Sequence, residues 1–235
     1  MKRLDRIVSN ASPLSRKDAR IAIRRKRVAI DGETCTQPST AVRDDAHVTL
    51  DGEPLADAPP ALLIWHKPIG VVCTTQDPWG RRSLATEAVA ILSQGLHPVG
   101  RLDAETDGLL LFAHDGALTQ RLLHPRRAIR RVYAATVEGD PGNPLTQALA
   151  GGVETAQGVF TAEVLSIEGA AVTLAVTEGK HRMVRRLLAN AGHPVTTLRR
   201  LSYGPIELGD LEPGASRAST PDEWAWVEAL MAPTR

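Results

Sequence analysis

The densest polar cluster in the chain is Gly100-Arg101-Leu102-Asp103-Ala104-Glu105-Thr106-Asp107-Gly108, directly ahead of the apolar run Leu109–Ala113. Carboxylates at alternate positions followed by a glycine imitate the opening of a calcium loop. The rest of that loop is missing, because His114 stands where the closing bidentate Glu belongs and the apolar run cannot bend around an ion. An extended loop would turn Asp103, Glu105 and Asp107 to one side. That arrangement suits a pair of carboxylates doing acid–base work on a glycosidic bond, and it equally suits a solvated acidic loop. Sugar sites usually offer aromatic platforms, and four Trp, two Tyr and two Phe in 235 residues make this chain poor in them.

Other reactive groups are scattered. Cys35 and Cys73 stand apart, with no CxxC and no His at ligand spacing, and read as small apolar residues. His66, His97, His114, His124, His181 and His193 have no ligand partner, so none is given a catalytic role and no metal site is expected. Neither GxGxxG nor GxxxxGK[ST] occurs. No cofactor is expected.

The elements that must position these residues are readable from periodicity. Leu4, Ile7 and Val8 repeat at helical spacing; after the breaker Ser12-Pro13, Ser15 and Asp18 form a capping box for a second helix with Ala19, Ala22 and Ile23 inward. Arg16, Lys17, Arg20 and Arg24 face outward on it. Strands are expected at 27–30 and 47–50, each running into an Asp-Gly turn, and Ala56–Pro60 reads as a linker because consecutive prolines continue neither helix nor ladder. This predicts a small module over 1–57 and a larger domain over 61–235. In the latter, Leu109–Ala113 suits a strand buried on both faces, while 132–137 and 172–177 alternate as half-buried strands. Val184, Leu187, Leu188 and Ala191 predict a helix over 181–191, and Thr220-Pro221 opens a last one. The fold class is α+β, with a single core in the larger domain.

Net charge is only +1, from 28 Lys+Arg against 27 Asp+Glu, which on its face argues against a polyanion partner. The distribution argues otherwise. Ten bases and two acids fall in residues 1–30, and the stretches 116–137 and 180–206 contain Arg121, Arg126, Arg127, Arg130, Arg131, Lys180, Arg182, Arg185, Arg186, Arg199 and Arg200 and no acid. Since charge is screened beyond about 8–10 Å, a nucleic acid meets a local block and not the total. No run reaches the roughly 20 apolar residues of a membrane span and the start lacks a signal-peptide core, so a cytoplasmic, monomeric protein is expected.

Two resemblances follow. The basic helix pair with RVAIDGE and VTLDGEPL resembles the S-four-type RNA-binding domain, whose second helix lies on RNA. HPVGRLDAETDGLLLFAHDG resembles the central motif of pseudouridine synthases in the RsuA-like branch that acts on ribosomal RNA. HKPIGVVCTTQDP, HPRRAIRRVYAATVEGD, TEGKHRMVRRLL and LRRLSYGPIELGDLEPGASR resemble four further segments of that family, in order.

The resemblance implies a catalytic domain with a mixed, mainly antiparallel sheet flanked by helices, and it implies roles. Asp103 stands at the nucleophile's position, Tyr133 at that of the ring stacking on the target base, Arg185 where a cation pairs with the nucleophile, and Val184 where an aliphatic side chain packs beneath the tyrosine. Arg101, Lys67, Arg127, Lys180 and Arg182, with Arg16, Lys17, Arg20 and Arg24, are expected to hold RNA. Met183 departs from the Gln or Glu usual in this branch. The expected reaction turns uridine into its carbon-linked isomer without cofactor. Its expected substrate is ribosomal RNA, free or in an assembling particle. The small-subunit 16S RNA is favoured for want of the long charged tail of some large-subunit relatives; a 23S enzyme and a non-catalytic RNA-binding assembly factor are the alternatives.

Overall fold

The computed structural model describes residues 2–12, 14–43, 45–55 and 62–232; the linker expected at 56–60 lies outside the described residues. The amino-terminal module has helices Leu4–Asn10 and Arg16–Arg24. Ser15 caps the second as the sequence predicts, its Oγ accepting from the Asp18 N–H at 3.1 Å. Strands Val28–Ile30 and Val48–Leu50 pair antiparallel, each with a further short strand beyond an Asp-Gly turn. Asp31 and Gly32, like Asp51 and Gly52, all have positive φ, the conformation that closes a two-residue hairpin. Leu4, Val8, Ala19, Ile23, Val28 and Val48 form the core of this module.

The larger domain is built on one sheet. Its strands run in the order Glu163–Glu168, Ala171–Val176, Arg131–Val137, Val195–Tyr203, Thr106–Ala113, Leu62–Lys67, Ser216–Ala218. Every adjacent pair is antiparallel except Val195–Tyr203 with Thr106–Ala113. Along that parallel pair Gly108 lies opposite Arg200 with φ +104°, and a Cβ on it would sit 2.4 Å from the Arg200 carbonyl oxygen. Only glycine permits the two strands to come this close.

The run Leu109–Ala113 is central and covered on both faces. Leu110 and Phe112 join Trp65, Leu174, Leu187 and Leu198 on one side, while Leu109, Leu111 and Ala113 join Leu62, Ile64, Tyr203 and Val227 on the other. The domain therefore has two apolar layers and not the single core expected, because a strand without polar positions feeds both faces of its sheet. Each fully buried Leu contributes about 2 kcal/mol. Helix Met183–Asn190 covers the first face, and helices Gly116–Leu123 and Pro221–Met231 the second. The helix expected at 181–191 starts later because Arg182 is left-handed, at φ 53°, and ends the preceding turn. Thr220 and Glu223 form a full capping box at the last helix.

Candidate active site

A cleft of about 370 Å³ opens at the end of the sheet where the parallel pair begins. Asp103, Tyr133, Val184 and Arg185 all line it, together with Arg101 and Met183. Asp103 is half-buried on a turn between Val99 and the Thr106–Ala113 strand, closed by the Thr106 N–H donating to the Asp103 carbonyl at 3.1 Å. Its carboxylate has no hydrogen-bond or ion-pair partner among the described residues. Tyr133 is 9% exposed, on the strand Arg131–Val137, and its backbone pairs with Arg200 on one side and Leu174 on the other.

The three alternating carboxylates do not converge. Asp103 faces the cleft, Glu105 pairs with Arg182 at 2.8 Å, and Asp107 pairs with Arg199 at 2.7 Å beside the buried His66. The paired-carboxylate arrangement open from the sequence is not formed.

Arg185 occupies the cleft wall without touching the Asp103 carboxylate. Its Nη2 donates to the Glu105 carbonyl at 2.7 Å and its Nη1 to the Val195 carbonyl at 3.2 Å. The guanidinium thus holds the turn that carries Asp103 through its backbone, in place of the ion pair expected. Met183 and Val184 are buried at the start of the same helix, so the methionine adds apolar wall where the resemblance leads one to expect a polar side chain.

A family model described as RNA pseudouridylate synthase matches residues 61–224. The chain belongs to this family. A second model, the S4 domain, matches residues 2–48. The synthase is 31% identical to the ribosomal large subunit pseudouridine synthase B of Bacillus subtilis (strain 168), covering 98% of this chain and 97% of that one. It is 36% identical to an uncharacterized RNA pseudouridine synthase of Mycobacterium leprae (strain TN), covering 94% and 90%. A crystal structure of a pseudouridylate synthase superposes with TM-score 0.66 at 27% identity, covering 98% of this chain and 100% of that one. The protein is accordingly an isomerase with an amino-terminal S4 domain on an α+β synthase domain.

The basic residues divide by burial. Arg16, Lys17, Arg20 and Arg24 are exposed on the second helix of the S4 domain, and Lys180 and Arg182 stand at the cleft. Arg127 is half-buried outside the cleft lining. Lys67 is fully buried, its Nζ donating to the carbonyls of Pro68 at 2.9 Å and Val71 at 2.8 Å, so it cannot meet RNA as the sequence leads one to expect. Burial pushes its pKa down, opposed by the charges of Cys73, Asp107 and Asp103.

The sequence reading misses the floor of the cleft. Arg131 and Arg200 are both buried there, their guanidinium carbons 4.8 and 5.4 Å from the centre of the Tyr203 ring. Arg131 donates to Tyr203 Oη at 3.0 Å, Tyr203 Oη donates to the Leu122 carbonyl at 2.6 Å, and Arg200 Nε donates to the Leu109 carbonyl at 2.7 Å. One signal was available: Arg131 has the inward parity of Tyr133, Ala135 and Val137 on its strand.

The S4 domain holds a third missed residue. Asp5 is fully buried on its first helix, with Arg3 Nη2 at 3.0 Å, Arg20 Nε at 2.9 Å and Arg16 Nη2 at 3.5 Å, each arginine half-exposed. Burial alone would raise its pKa, but the hydrogen bonds from Arg3 and Arg20 and the charge of Arg16 outweigh that and hold it down at about 2. No helix among the described residues is long and apolar enough to cross a membrane.

Proposed function

We propose that this synthase isomerises a uridine of ribosomal RNA, with Asp103 as its nucleophile, in a domain spanning 61–235 behind an RNA-holding module spanning 1–57. The observation that carries the reading is the convergence of Asp103 and Tyr133 on one cleft, with Arg185 holding the Asp103 turn. A target base leaving its stack gives up a few kcal/mol, and the Tyr133 face returns about 1–3 kcal/mol of it. The carboxylate, without a hydrogen-bond or ion-pair partner among the described residues, is available to the ribose or the ring. The reaction breaks the bond between the ribose and base nitrogen 1 and joins the same ribose carbon to base carbon 5. Carbon 5 gives up its proton, nitrogen 1 ends with one, and no atom is gained or lost. Arg101, Lys180 and Arg182 hold backbone phosphate at the cleft, and Arg16, Lys17, Arg20 and Arg24 hold it at a distance.

Large-subunit RNA is the substrate the comparisons favour. The want of a long charged tail does not separate the two subunits, since the Bacillus subtilis relative, named for the large subunit, aligns over 97% of its own length. The test is carbodiimide treatment and primer extension on ribosomal RNA from a strain lacking the gene. A stop lost from 23S RNA is the expected result; a stop lost from 16S RNA alone would reverse the choice of subunit.

A further inference from the structure

The loop between Val72 and Ser83 presents a tryptophan to solvent. Trp79 is 75% exposed, while Trp65, Phe112, Phe160, Tyr133 and Tyr203 are all buried. Leaving so large an apolar ring in water forfeits burial that the fold claims for the other aromatics. The loop itself is well built. Val72 N–H donates to the Arg82 carbonyl at 2.9 Å and Leu84 N–H to the Val72 carbonyl at 3.1 Å, closing its neck. Inside, the Asp77 carboxylate accepts the Arg81 N–H at 2.7 Å and the Arg81 Nη2 at 2.6 Å. That fixes the Arg81 guanidinium 4.7 Å from the centre of the Trp79 ring.

The loop is rooted on the catalytic turn. Gly70 N–H donates to the Ala104 carbonyl at 2.7 Å, and Leu102 N–H donates to Cys73 Sγ at 3.4 Å, so the two residues flanking Asp103 are tied to the segment that leads into the loop. Ile69, 60% exposed, sits on the same tie. An exposed ring backed by a cation, rigidly held and continuous with the turn of the nucleophile, matches a face for an unpaired nucleobase. Its polar neighbours Arg81 and Arg82, held by Asp77 and Glu87 but with their side chains still half-exposed, suit the phosphates on either side, and when one nucleotide leaves the stack its neighbours lose a stacking partner.

We infer that Trp79 is a second stacking platform, taking a base of the substrate RNA that flanks the target uridine. The inference rests on the reading that an RNA uridine is turned over at Asp103, and its test separates the two. Binding of a single-stranded ribooligonucleotide is followed by tryptophan fluorescence in the full chain, in Trp79→Phe and in Trp79→Ala, alongside tritium release from uridine carbon 5 in an rRNA transcript. The expected result is quenching by RNA that Trp79→Phe abolishes, with affinity and kcat/KM reduced about tenfold in Trp79→Ala and largely kept in Trp79→Phe. Equal quenching in wild type and Trp79→Phe, or wild-type affinity in Trp79→Ala, overturns the platform. So does Trp79→Ala binding naked RNA normally while losing affinity for ribosomal particles, which would make the ring a contact for protein. Should the wild type turn over no uridine, the catalytic reading fails and the quenching still decides the platform.

Discussion

Arg185 donates to the carbonyl of Glu105 at 2.7 Å, so the guanidinium grips the backbone two residues beyond Asp103. It is planar and bidentate, bridging that turn to the start of the strand Val195–Tyr203 by reaching the Val195 carbonyl as well. Lysine has one point charge and cannot bridge both. Arg185→Met should therefore let the turn shift and lower kcat about 100-fold, since an error near 1 Å at the reacting groups costs about that much. Arg185→Lys should recover part of the loss. Single-turnover tritium release on a saturating transcript measures this; unchanged kcat in Arg185→Met would remove Arg185 from the site.

Because the Asp103 carboxylate makes no hydrogen bond or ion pair among the described residues, chemistry and stability can be separated there. Asp103→Asn keeps the size of the side chain and breaks no hydrogen bond. Turnover should fall at least about 10⁴-fold, as for removal of a nucleophile, with the melting temperature and RNA affinity unchanged. Measurable isomerisation by purified Asp103→Asn would dispose of the nucleophile assignment.

Much of the scaffold was legible because it depends on local rules. The Ser15 cap, the paired Asp-Gly turns and the Thr220 box are written in four-residue signals, and the apolar run at 109–113 has to be a covered strand. What the sequence hid is where each charge goes. Lys67 reads as an RNA contact, and Arg131 and Arg200 as members of basic runs, because they are cationic, yet each is buried on carbonyls or a tyrosine ring. Asp5 is one of the two acids counted among the ten bases of residues 1–30. Burial of a charge is decided by partners from other strands and helices, and formal charge carries no record of them. Trp79 went unnoticed for the converse reason, since composition cannot tell a ring in the core from a ring in water.

Asp5 gives a prediction opposite in sign to simple charge counting. Asp5→Asn removes a negative charge, which by itself should tighten RNA binding. The carboxylate, however, gathers Arg3, Arg16 and Arg20 onto one face, and without it they repel and splay. RNA affinity should fall several-fold. The folded pKa of about 2 lies below the usual carboxylate value, so Asp5 stabilises the fold above about pH 4 and that contribution is lost as the pH falls through about 2. Acid unfolding of Asp5→Asn should accordingly show a shallower loss over that window than the wild type. Tighter RNA binding by Asp5→Asn would contradict the organising role.

Lys67 offers the sharpest contrast between a contact and a support. Were its ammonium on phosphate, Lys67→Met would lower the slope of log affinity against log salt by about one ion. In the structure the ammonium instead ties the carbonyls of Pro68 and Val71 into the turn whose Gly70 N–H donates to the Ala104 carbonyl beside Asp103. Methionine fills the space and leaves those buried carbonyls without their donor, a loss of about 1–3 kcal/mol. The expected outcome is a lower melting temperature and reduced kcat with the salt slope unchanged. Affinity measured across a salt series separates the two: a slope smaller by one with the melting temperature intact would return Lys67 to the RNA surface.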